Sequence, residues 1–301
     1  MMAGALERSR TDTMQTPLSR RSLLTTAGLT VAGVAAGGLA APLLAGCTGP
    51  NIARPTASPS GAVKDQLDQV MKTLANGSEK FGVFVQDVRS GATYSFNGDY
   101  SSQNASMAKV MIALMALRAS GGMLSPENDA AATRMITRSD NDSADALWAF
   151  AGGADAYQRL ADELGMTHTH RDRGRADWSW TWTTPSDQVL LLKHLTEGGT
   201  KAVTADQAAY VYGLMGKVED DQAWGVGQPR SAEVQVHLKN GWVQFTSTDN
   251  LWAVNSMGTV EGDARRYRLA VMTREPDFDT GREITSEVGK WVFAILGSGT
   301  L

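Results

Sequence analysis

The sequence predicts a mixed α/β fold of the α+β kind, in which one sheet is flanked by helices and carries an inserted helical domain. Two observations predict this arrangement. Segments that alternate apolar and polar residues occur near both ends of the folded part, whereas the middle repeats its apolar residues at helical spacing. Strands that precede and follow a helical insert are expected to pair in one sheet flanked by helices.

The first expected elements are a helix and a pair of strands. The helix ends at Gly77 and has apolar residues at three- and four-residue spacing, namely Val63, Leu67, Val70, Met71 and Leu74. The stretch FGVFVQDV (81–88) is predicted to be a strand and ATYSF (92–96) its partner. Arg89-Ser90-Gly91 forms the turn between them.

The remaining elements are helices in the middle and strands towards the end. Helical patterns run from 106 to about 196, and a further one covers TADQAAYVYGLM (204–215). Strand patterns return in VQVHLKNG (234–241), DNLWAVNSM (249–257) and YRLAVMT (267–273). A closing helix is expected to be capped by Gly297, and its apolar residues are Ile284, Val288, Trp291, Val292 and Ile295.

Composition argues against several classes of partner and cofactor. The chain has 301 residues and a formal net charge of −4, so there is no electrostatic reason to expect nucleic acid. Cys47 is the only cysteine, which makes an intrachain disulfide impossible. His168 and His170 lie near Asp172, but in a loop without a further convincing ligand. We therefore expect neither a metal ion nor another cofactor.

Residues 1–47 are typical of an export signal. Arg20-Arg21 opens a stretch that resembles a twin-arginine signal, and an uncharged run follows from Leu23 to Ala45. Leu44-Ala45-Gly46-Cys47 resembles the lipobox of a bacterial, actinobacterial-type lipoprotein, which would leave Cys47 as a lipidated N-terminus. The run is also long enough for an ordinary transmembrane anchor. In both cases we expect the rest of the chain at the extracytoplasmic face of the cell membrane, with the lipid anchor favoured.

The predicted domain boundaries follow from these segments. Residues 48–63 form a flexible linker, because TGPNIARPTASPSG (48–61) is rich in Pro, Ser and Gly and has nothing apolar enough to pack. Residues 64–100 and 197–301 form the sheet domain, and residues 101–196 form the helical domain.

Three short motifs follow one another along the chain. Ser106-Met107-Ala108-Lys109 is an S-x-x-K at the head of an apolar helix, Ser139-Asp140-Asn141 follows a helical stretch, and Lys239-Asn240-Gly241 ends a strand. A spacing of three places Ser106 and Lys109 on one helical face, where an amine can take a proton from a hydroxyl. A buried lysine near another cation has a lowered pKa and can act as a base.

This set of motifs resembles the class A β-lactamase and penicillin-binding-protein family of serine hydrolases. The resemblance covers most of residues 64–301, including FGVFVQDVRSGATYSFN (81–97), LWAFAGGADAYQRLADELGM (147–166) and Thr183-Thr184-Pro185. It implies a class A β-lactamase-like fold with an antiparallel sheet. The separation of Ser106 and Ser139 is short for this family, so a shortened helical domain is expected.

The resemblance implies catalytic roles for the motif residues. Ser106 would be the acylated nucleophile and Lys109 its proton acceptor. Ser139 would bridge Lys109 and Lys239. Asn141 would hold the amide of the substrate, and Lys239 would attract its carboxylate.

The end of the third motif is implied to bind the substrate. The backbone N–H groups of Ser106 and Trp242 would form the oxyanion hole. Asn240 replaces the usual hydroxyl residue but can still donate a hydrogen bond. Gly241 leaves room for a substrate backbone, whereas Trp242 is bulky where the family has small residues and could narrow the cleft.

The main departure from the family lies in RDRGRADWSWTWTTP (171–185). Family β-lactamases have a glutamate in this loop that activates the water for deacylation, and this stretch has none. Aligning Asp172-Arg173 with the family puts Arg175 in the register of that glutamate. Asp172 or Asp177 could substitute, and the spacing favours neither. We therefore expect slow deacylation.

Some of these residues have a structural interpretation as well. Ser139 is placed to cap the helix that follows it. Trp178, Trp180 and Trp182 alternate and could stack on sugars of a cell-wall polymer, although such runs more often pack at the edge of a core.

The sequence thus predicts a serine acyl-transfer hydrolase that acts on β-lactams or peptidoglycan stem peptides and releases its acyl group slowly. A first alternative is a competent β-lactamase that uses Asp172, Asp177 or an alternative water. A second is a catalytically impaired lipoprotein of the same fold that binds a cell-wall fragment or another envelope protein, and it is supported by Arg175, Asn240 and Trp242.

Overall fold

A five-stranded antiparallel sheet with the strand order β2-β1-β7-β6-β5 organises the fold. The computed structural model describes residues 49–56, 58–228, 231–245 and 248–301, so the predicted export signal and Cys47 lie outside the described residues. The strands are β1 (Phe81–Asp87), β2 (Thr93–Phe96), β3 (Ser102–Gln103), β4 (Trp182–Thr183), β5 (Gln235–Gln244), β6 (Trp252–Gly262) and β7 (Arg265–Glu275). Strands β3 and β4 pair only with each other.

Helices cover both faces of this sheet. They are α1 (Val63–Ala75), α2 (Ala108–Ala119), α3 (Pro126–Thr137), α4 (Asn141–Phe150), α5 (Gly153–Glu163), α6 (Pro185–Glu197), α7 (Ala205–Met215) and α8 (Phe278–Ser298). Apolar residues of α1 and α8 pack with one face of the sheet, and residues of α2 to α7 pack with the other. The described residues from Pro50 onwards form one compact unit. The predicted mixed α/β fold, an antiparallel sheet flanked by helices, is confirmed.

Helix α2 lies at the centre of the helical side. Every residue from Ala108 to Leu117 is buried, and Lys109 is the one charged residue among them. A helix that is apolar all round must be enclosed by other elements, and here α3, α4, α5 and α7 pack around it. The surrounding helices therefore remove Lys109 from solvent.

The chain reaches this helix through the small β3–β4 ladder. Ser102 pairs with Thr183 and Gln103 with Trp182, so the segment before α2 is joined to the segment before α6. The sequence did not predict this ladder, because two-residue strands carry no periodicity. It fixes the entry of the helical domain against the loop that carries the alternating tryptophans.

Two local expectations were wrong. Helix α8 continues through Gly297 to Ser298, because a glycine that is accommodated within a helix does not by itself end it. Ile52, within the stretch expected to have nothing apolar enough to pack, is buried in the cluster formed by α1, α8 and the sheet. Arg54 lies 2.6 Å from Glu283 on α8, so an ion pair also holds this part of the predicted linker.

Within the described ranges, no helix combines the length and the hydropathy that a membrane span requires.

Candidate active site

Ser106 lies in a short 3-10 turn, Ala105–Met107, that leads directly into α2. Ala105 has a φ of 49°, a left-handed conformation that is costly for a residue with a side chain. Strain of this kind persists only where neighbouring groups fix the backbone. Ser106 itself is 9% exposed, at the N-terminal end of α2. The helix dipole there favours negative charge developing near the hydroxyl.

Asn104 ties this turn to two other elements. Its backbone N–H donates to the carbonyl of Thr181 at 2.6 Å, and its side-chain amide donates to the hydroxyl of Tyr157 at 2.8 Å. The carbonyl of Asn104 in turn accepts the N–H of Met107 at 3.2 Å. The turn that carries Ser106 is thus anchored to α5 and to the segment before β4.

The hydroxyl of Ser139 lies between two buried lysines. Ser139 Oγ is 3.2 Å from Lys109 Nζ and 2.9 Å from Lys239 Nζ. Both lysines are 0% exposed; Lys109 belongs to α2 and Lys239 to β5. The structure therefore brings the three sequence motifs to one point.

Each lysine has further acceptors. Lys109 Nζ donates to the carbonyl of Ser139 and to Oδ1 of Asn141, at 2.7 Å in both cases. Lys239 Nζ donates to the carbonyl of Asn240 at 2.9 Å. Hydrogen bonds of this kind offset part of the cost of removing a charged group from water.

The pKa values of both lysines are lowered. Burial is the main cause for Lys109, whose pKa lies well below its usual value, and the charge of Lys239 lowers it further. The carboxylates of Asp140 and Asp145 act in the opposite direction on Lys109. Burial lowers the pKa of Lys239 to about 7. Two close amines share their protons, so one can be neutral near neutral pH while the other is charged.

The side chains of Ser106 and Lys109, both within the described residues, share no hydrogen bond in this conformation. The bonds of Lys109 Nζ go to Ser139 and Asn141 instead. The sequence spacing predicted that the hydroxyl and the amine would meet, but the 3-10 turn at Ser106 and the acceptors near α4 turn the amine away. Catalytic hydrogen bonds are often unformed in a free enzyme and tighten when substrate binds.

The cap of α4 is Asp140 rather than Ser139. Asp140 Oδ1 accepts the backbone N–H of Ser143 at 2.8 Å. Ser139 has a φ of 58°, which is not the extended conformation of an N-cap residue. The capping interpretation of Ser139 is therefore wrong. The left-handed backbone leaves its hydroxyl directed at the two lysines.

Strand β5 presents alternate residues to the turn that carries Ser106. Lys239 and Gly241 lie on the same face of the strand. A Cβ atom on Gly241 would lie 2.7 Å from the backbone N of Ser106 and 2.8 Å from the backbone N of Met107. Such contacts do not occur in real structures, so only glycine lets β5 come this close to Ser106.

Asn240 and Trp242 point to the other face of β5, towards α8. The side-chain amide of Asn240 donates to the carbonyls of Gln222 at 2.7 Å and Trp224 at 3.2 Å. The ring of Trp242 packs against Trp224 and Phe278, with centroid distances of 5.8 Å and 5.2 Å. Substrate binding by the Asn240 side chain stays a prediction, and it requires these two bonds to break.

Trp178 covers Lys109 from the side of the loop. Its ring centroid is 4.6 Å from Lys109 Nζ and its side chain is 1% exposed. The indole N–H donates to Asp145 Oδ1 on α4 at 2.7 Å, which fixes the ring. Arg175, which the alignment placed in the register of the missing glutamate, stacks instead on Trp180 at 3.7 Å. The residue that faces the lysine from this loop is thus Trp178.

The two loop aspartates serve the loop itself. Asp172 Oδ1 accepts two backbone N–H groups of its own turn, and Oδ2 accepts the indole N–H of Trp182 at 3.0 Å. This indole bond is the largest cause of the lowered pKa of Asp172. Asp177 caps the 3-10 turn Trp178–Trp180 by accepting the N–H of Ser179 at 3.1 Å.

The histidines of this region have partners of their own. His170 stacks on Trp182 with a centroid distance of 6.1 Å, and the backbone N–H of His168 donates to Asp187 at 2.9 Å. In the part of the chain that the structure describes, no three His, Cys, Asp or Glu residues are grouped as metal ligands.

Sequence reasoning missed Trp178 and Asp145 as neighbours of Lys109. Asp145 follows Asn141 by four residues, so it lies one helical turn along the face that carries the motif, and this spacing could have identified it. The alternation of the tryptophans was visible, but a sequence does not say which ring turns inward. Trp178 and Trp180 are buried, in agreement with the interpretation that the run packs at the edge of a core.

Comparison with known proteins finds a matching family and similar folds. The model of a family described as the beta-lactamase enzyme family matches residues 62–129 and 124–296. A class A beta-lactamase structure from Bacteroides cellulosilyticus superposes with a TM-score of 0.66 at 19% identity, covering 79% of this chain and 100% of that chain. A beta-lactamase from Sphaerobacter thermophilus gives 0.61 at 20% identity, with coverages of 74% and 95%. A class A beta-lactamase from Mycobacterium abscessus gives 0.63 at 18% identity, with coverages of 78% and 100%. No curated protein matches the sequence.

Proposed function

Because this chain belongs to the beta-lactamase enzyme family, we propose that it is a serine hydrolase in which β-lactams or peptidoglycan stem peptides acylate Ser106. The acyl group is then released slowly. The observation that carries this proposal is the hydroxyl of Ser139 between the amines of Lys109 and Lys239, next to the turn that holds Ser106. Two buried amines with lowered pKa values, joined by one hydroxyl, form a path along which a proton can move.

In the acylation step, Lys109 in its neutral form accepts the proton of the Ser106 hydroxyl, and Ser106 Oγ attacks the carbonyl carbon of the amide or lactam. The carbonyl oxygen becomes an oxyanion, which the backbone N–H groups of Ser106 and Trp242 are proposed to stabilise. The C–N bond then breaks. The proton passes from Lys109 through the hydroxyl of Ser139 to the leaving nitrogen, and an ester on Ser106 remains.

Slow release is supported by what surrounds Lys109. Water must lose a proton to attack the ester, and the acceptors around Lys109 Nζ are a carbonyl, a hydroxyl and an amide oxygen rather than a carboxylate. The remaining side is covered by the ring of Trp178, which cannot accept a proton. Asp172 and Asp177 are engaged in the loop, which disfavours the alternative that either replaces the missing glutamate.

Release of D-alanine from a stem peptide tests the choice of substrate. A pentapeptide ending in D-Ala-D-Ala is incubated with wild type and with Ser106→Ala, and free D-alanine is measured over time. We expect release by the wild type alone, at a rate limited by deacylation. Equal release by both proteins would contradict a role of Ser106.

A second candidate function is binding without catalysis, and one observation favours it. The side-chain NH2 group of Asn240 donates to two loop carbonyls, so its donors are not directed at a substrate. Binding of soluble muropeptides that is unchanged in Ser106→Ala, together with the absence of any acyl adduct, would support this function over the first.

We also propose that Cys47 is lipidated and anchors the protein at the outer face of the membrane. The support is the order of the arginine pair, the uncharged run and the lipobox in the sequence. Labelling with a palmitate analogue is expected in the full-length protein and not in Cys47→Ser. Label in the variant would contradict this anchor.

A further inference from the structure

The segment that carries Trp178 and Trp180, here named the tryptophan strap (residues 176–183), packs against Phe245, which directly follows β5. The rings of Trp180 and Phe245 meet nearly at right angles, 83°, with centroids 5.6 Å apart. Val243 and Ala253 complete this cluster, and Trp180 and Phe245 are 9% and 3% exposed. An edge-to-face contact of this kind is favourable beyond its buried area.

Two arginines lie against these rings. The guanidinium of Arg175 lies 3.7 Å from the centroid of Trp180, and that of Arg274 lies 3.6 Å from the centroid of Phe245. Arg175 belongs to the loop and Arg274 to β7, so the cluster joins the loop to the sheet. Cation–π contacts add about 0.5–1 kcal/mol or more each, which makes this a firm boundary rather than a loose contact.

Successive residues on one face of β5 meet different groups of the helical domain. Lys239 reaches Ser139, Gly241 lies against Ser106, and Val243 belongs to the cluster with Trp180. Residues two apart on a strand are separated by about 7 Å. The rings of Trp180 and Phe245 therefore begin about 7 Å along β5 from the position that faces Ser106.

The direction of a bound acyl donor follows from the proposed function, on which this inference rests. Its carboxylate is drawn towards Lys239 and its reacting carbonyl lies at Ser106. The acyl substituent must then extend the other way along β5, towards Val243. We infer that Trp180 and Phe245 close the acyl end of the site and restrict it to donors with a small acyl substituent.

The wall consists of one aromatic residue from the strap and one that directly follows β5. It acts on the substituent of the acyl group and not on the reacting bond. Small and large donors should thus differ in the rate of acylation. Deacylation, which depends on the surroundings of Lys109, should not follow the same order.

The test uses penicillins that share one nucleus and differ in the acyl substituent: the acetamido derivative, benzylpenicillin, and nafcillin with its naphthyl group. The rate of adduct formation on the protein without its export signal is followed by intact-mass spectrometry. We expect the rate to fall by at least about tenfold from the smallest to the largest donor, since pocket contacts discriminate by this amount or more. Phe245→Ala and Trp180→Leu should each bring the three rates closer together.

Trp182→Leu is the matched control. It removes a tryptophan from the same strap, but the indole of Trp182 donates to Asp172 and lies outside the wall. Phe245→Ala and Trp180→Leu alter the wall from two different segments of the chain. Thermal unfolding of each variant shows whether a changed rate comes from the wall or from a loss of folding. Equal wild-type rates for all three penicillins would overturn the inference while leaving the proposed function intact. The same follows if Trp182→Leu brings the three acylation rates as close together as the wall variants do. Absence of any adduct in every protein would instead contradict the proposed acylation of Ser106 by β-lactams, and the inference with it.

Discussion

Replacing Ser139 by glycine and by alanine separates its chemical role from its backbone role. Both variants lose the hydroxyl, so one N–H of Lys109 and one of Lys239 lose an acceptor at 3.2 Å and 2.9 Å. A buried donor left without a partner costs about 1–3 kcal/mol, which gives a loss of about 2–6 kcal/mol if water does not enter. Acylation should fall by about 10²- to 10⁴-fold in both, because the hydroxyl is proposed to carry the proton to the leaving group.

The two variants should differ in stability. Ser139 has a φ of 58°, which costs a residue with a Cβ about 1–2 kcal/mol and costs glycine nothing. Glycine loses about 0.5–1 kcal/mol more than alanine in conformational entropy on folding. The glycine variant should therefore be the more stable by about 0.5–1 kcal/mol, although both are equally slow to acylate.

The assays are urea unfolding and the rate of adduct formation with the acetamido penicillin, followed by intact-mass spectrometry. Near-normal acylation in either variant would refute the role of Ser139 as the bridge. A glycine variant that is less stable than the alanine variant would refute the argument from the backbone conformation.

Three further predictions concern the surroundings of this bridge. Trp178→Glu places a carboxylate beside the amine that the indole covers, so intact-mass measurements should show the acyl adduct decaying at least about tenfold faster than in Trp178→Phe. The folded pKa of Lys239, about 7, lies below its unfolded value of 10.5, so its charge destabilises the fold at low pH and the free energy of unfolding should rise from pH 7 to 9. In urea unfolding, Lys239→Met should show a smaller increase in the free energy of unfolding over this pH range. Lys72→Met, which replaces a side chain that is 70% exposed, should show the same increase as the wild type. A wild-type increase in Lys239→Met would contradict the lowered pKa of Lys239. Gly241→Ala introduces a Cβ atom 2.7 Å from the nucleophile turn and should lower stability by about 1–3 kcal/mol in thermal unfolding, whereas Gly213→Ala, with open space in α7, should be neutral or stabilising.

Much of the fold could be predicted because its elements have clear periodicity. The stretches around Phe84 and Val271 are short apolar runs typical of buried strands, and α2 is apolar from Val110 to Leu117, so the element types follow from local sequence. The order of the three motifs was enough to indicate which elements meet. The β3–β4 ladder could not be predicted, because it is set by tertiary pairing of two-residue segments.

The contacts within the site depend on features that a sequence does not display. The left-handed backbone at Ser139, an unusual conformation for a serine, decides that Asp140 caps α4 and leaves the hydroxyl free to meet the lysines. Likewise, the position of Trp178 over Lys109 depends on its bond to Asp145, across two elements. Alignment with the family pointed to Arg175, because a loop of different length has no reliable register.

The central claim is that Ser106 forms an acyl-enzyme that is released slowly. The most direct measurement is the intact mass of residues 48–301 over time after addition of the penicillin with the small acetamido substituent, with Ser106→Ala beside it. We predict a lasting adduct of one penicillin on the wild type and none on the variant. The absence of an adduct at all times, or an adduct of equal amount on Ser106→Ala, would contradict the claim.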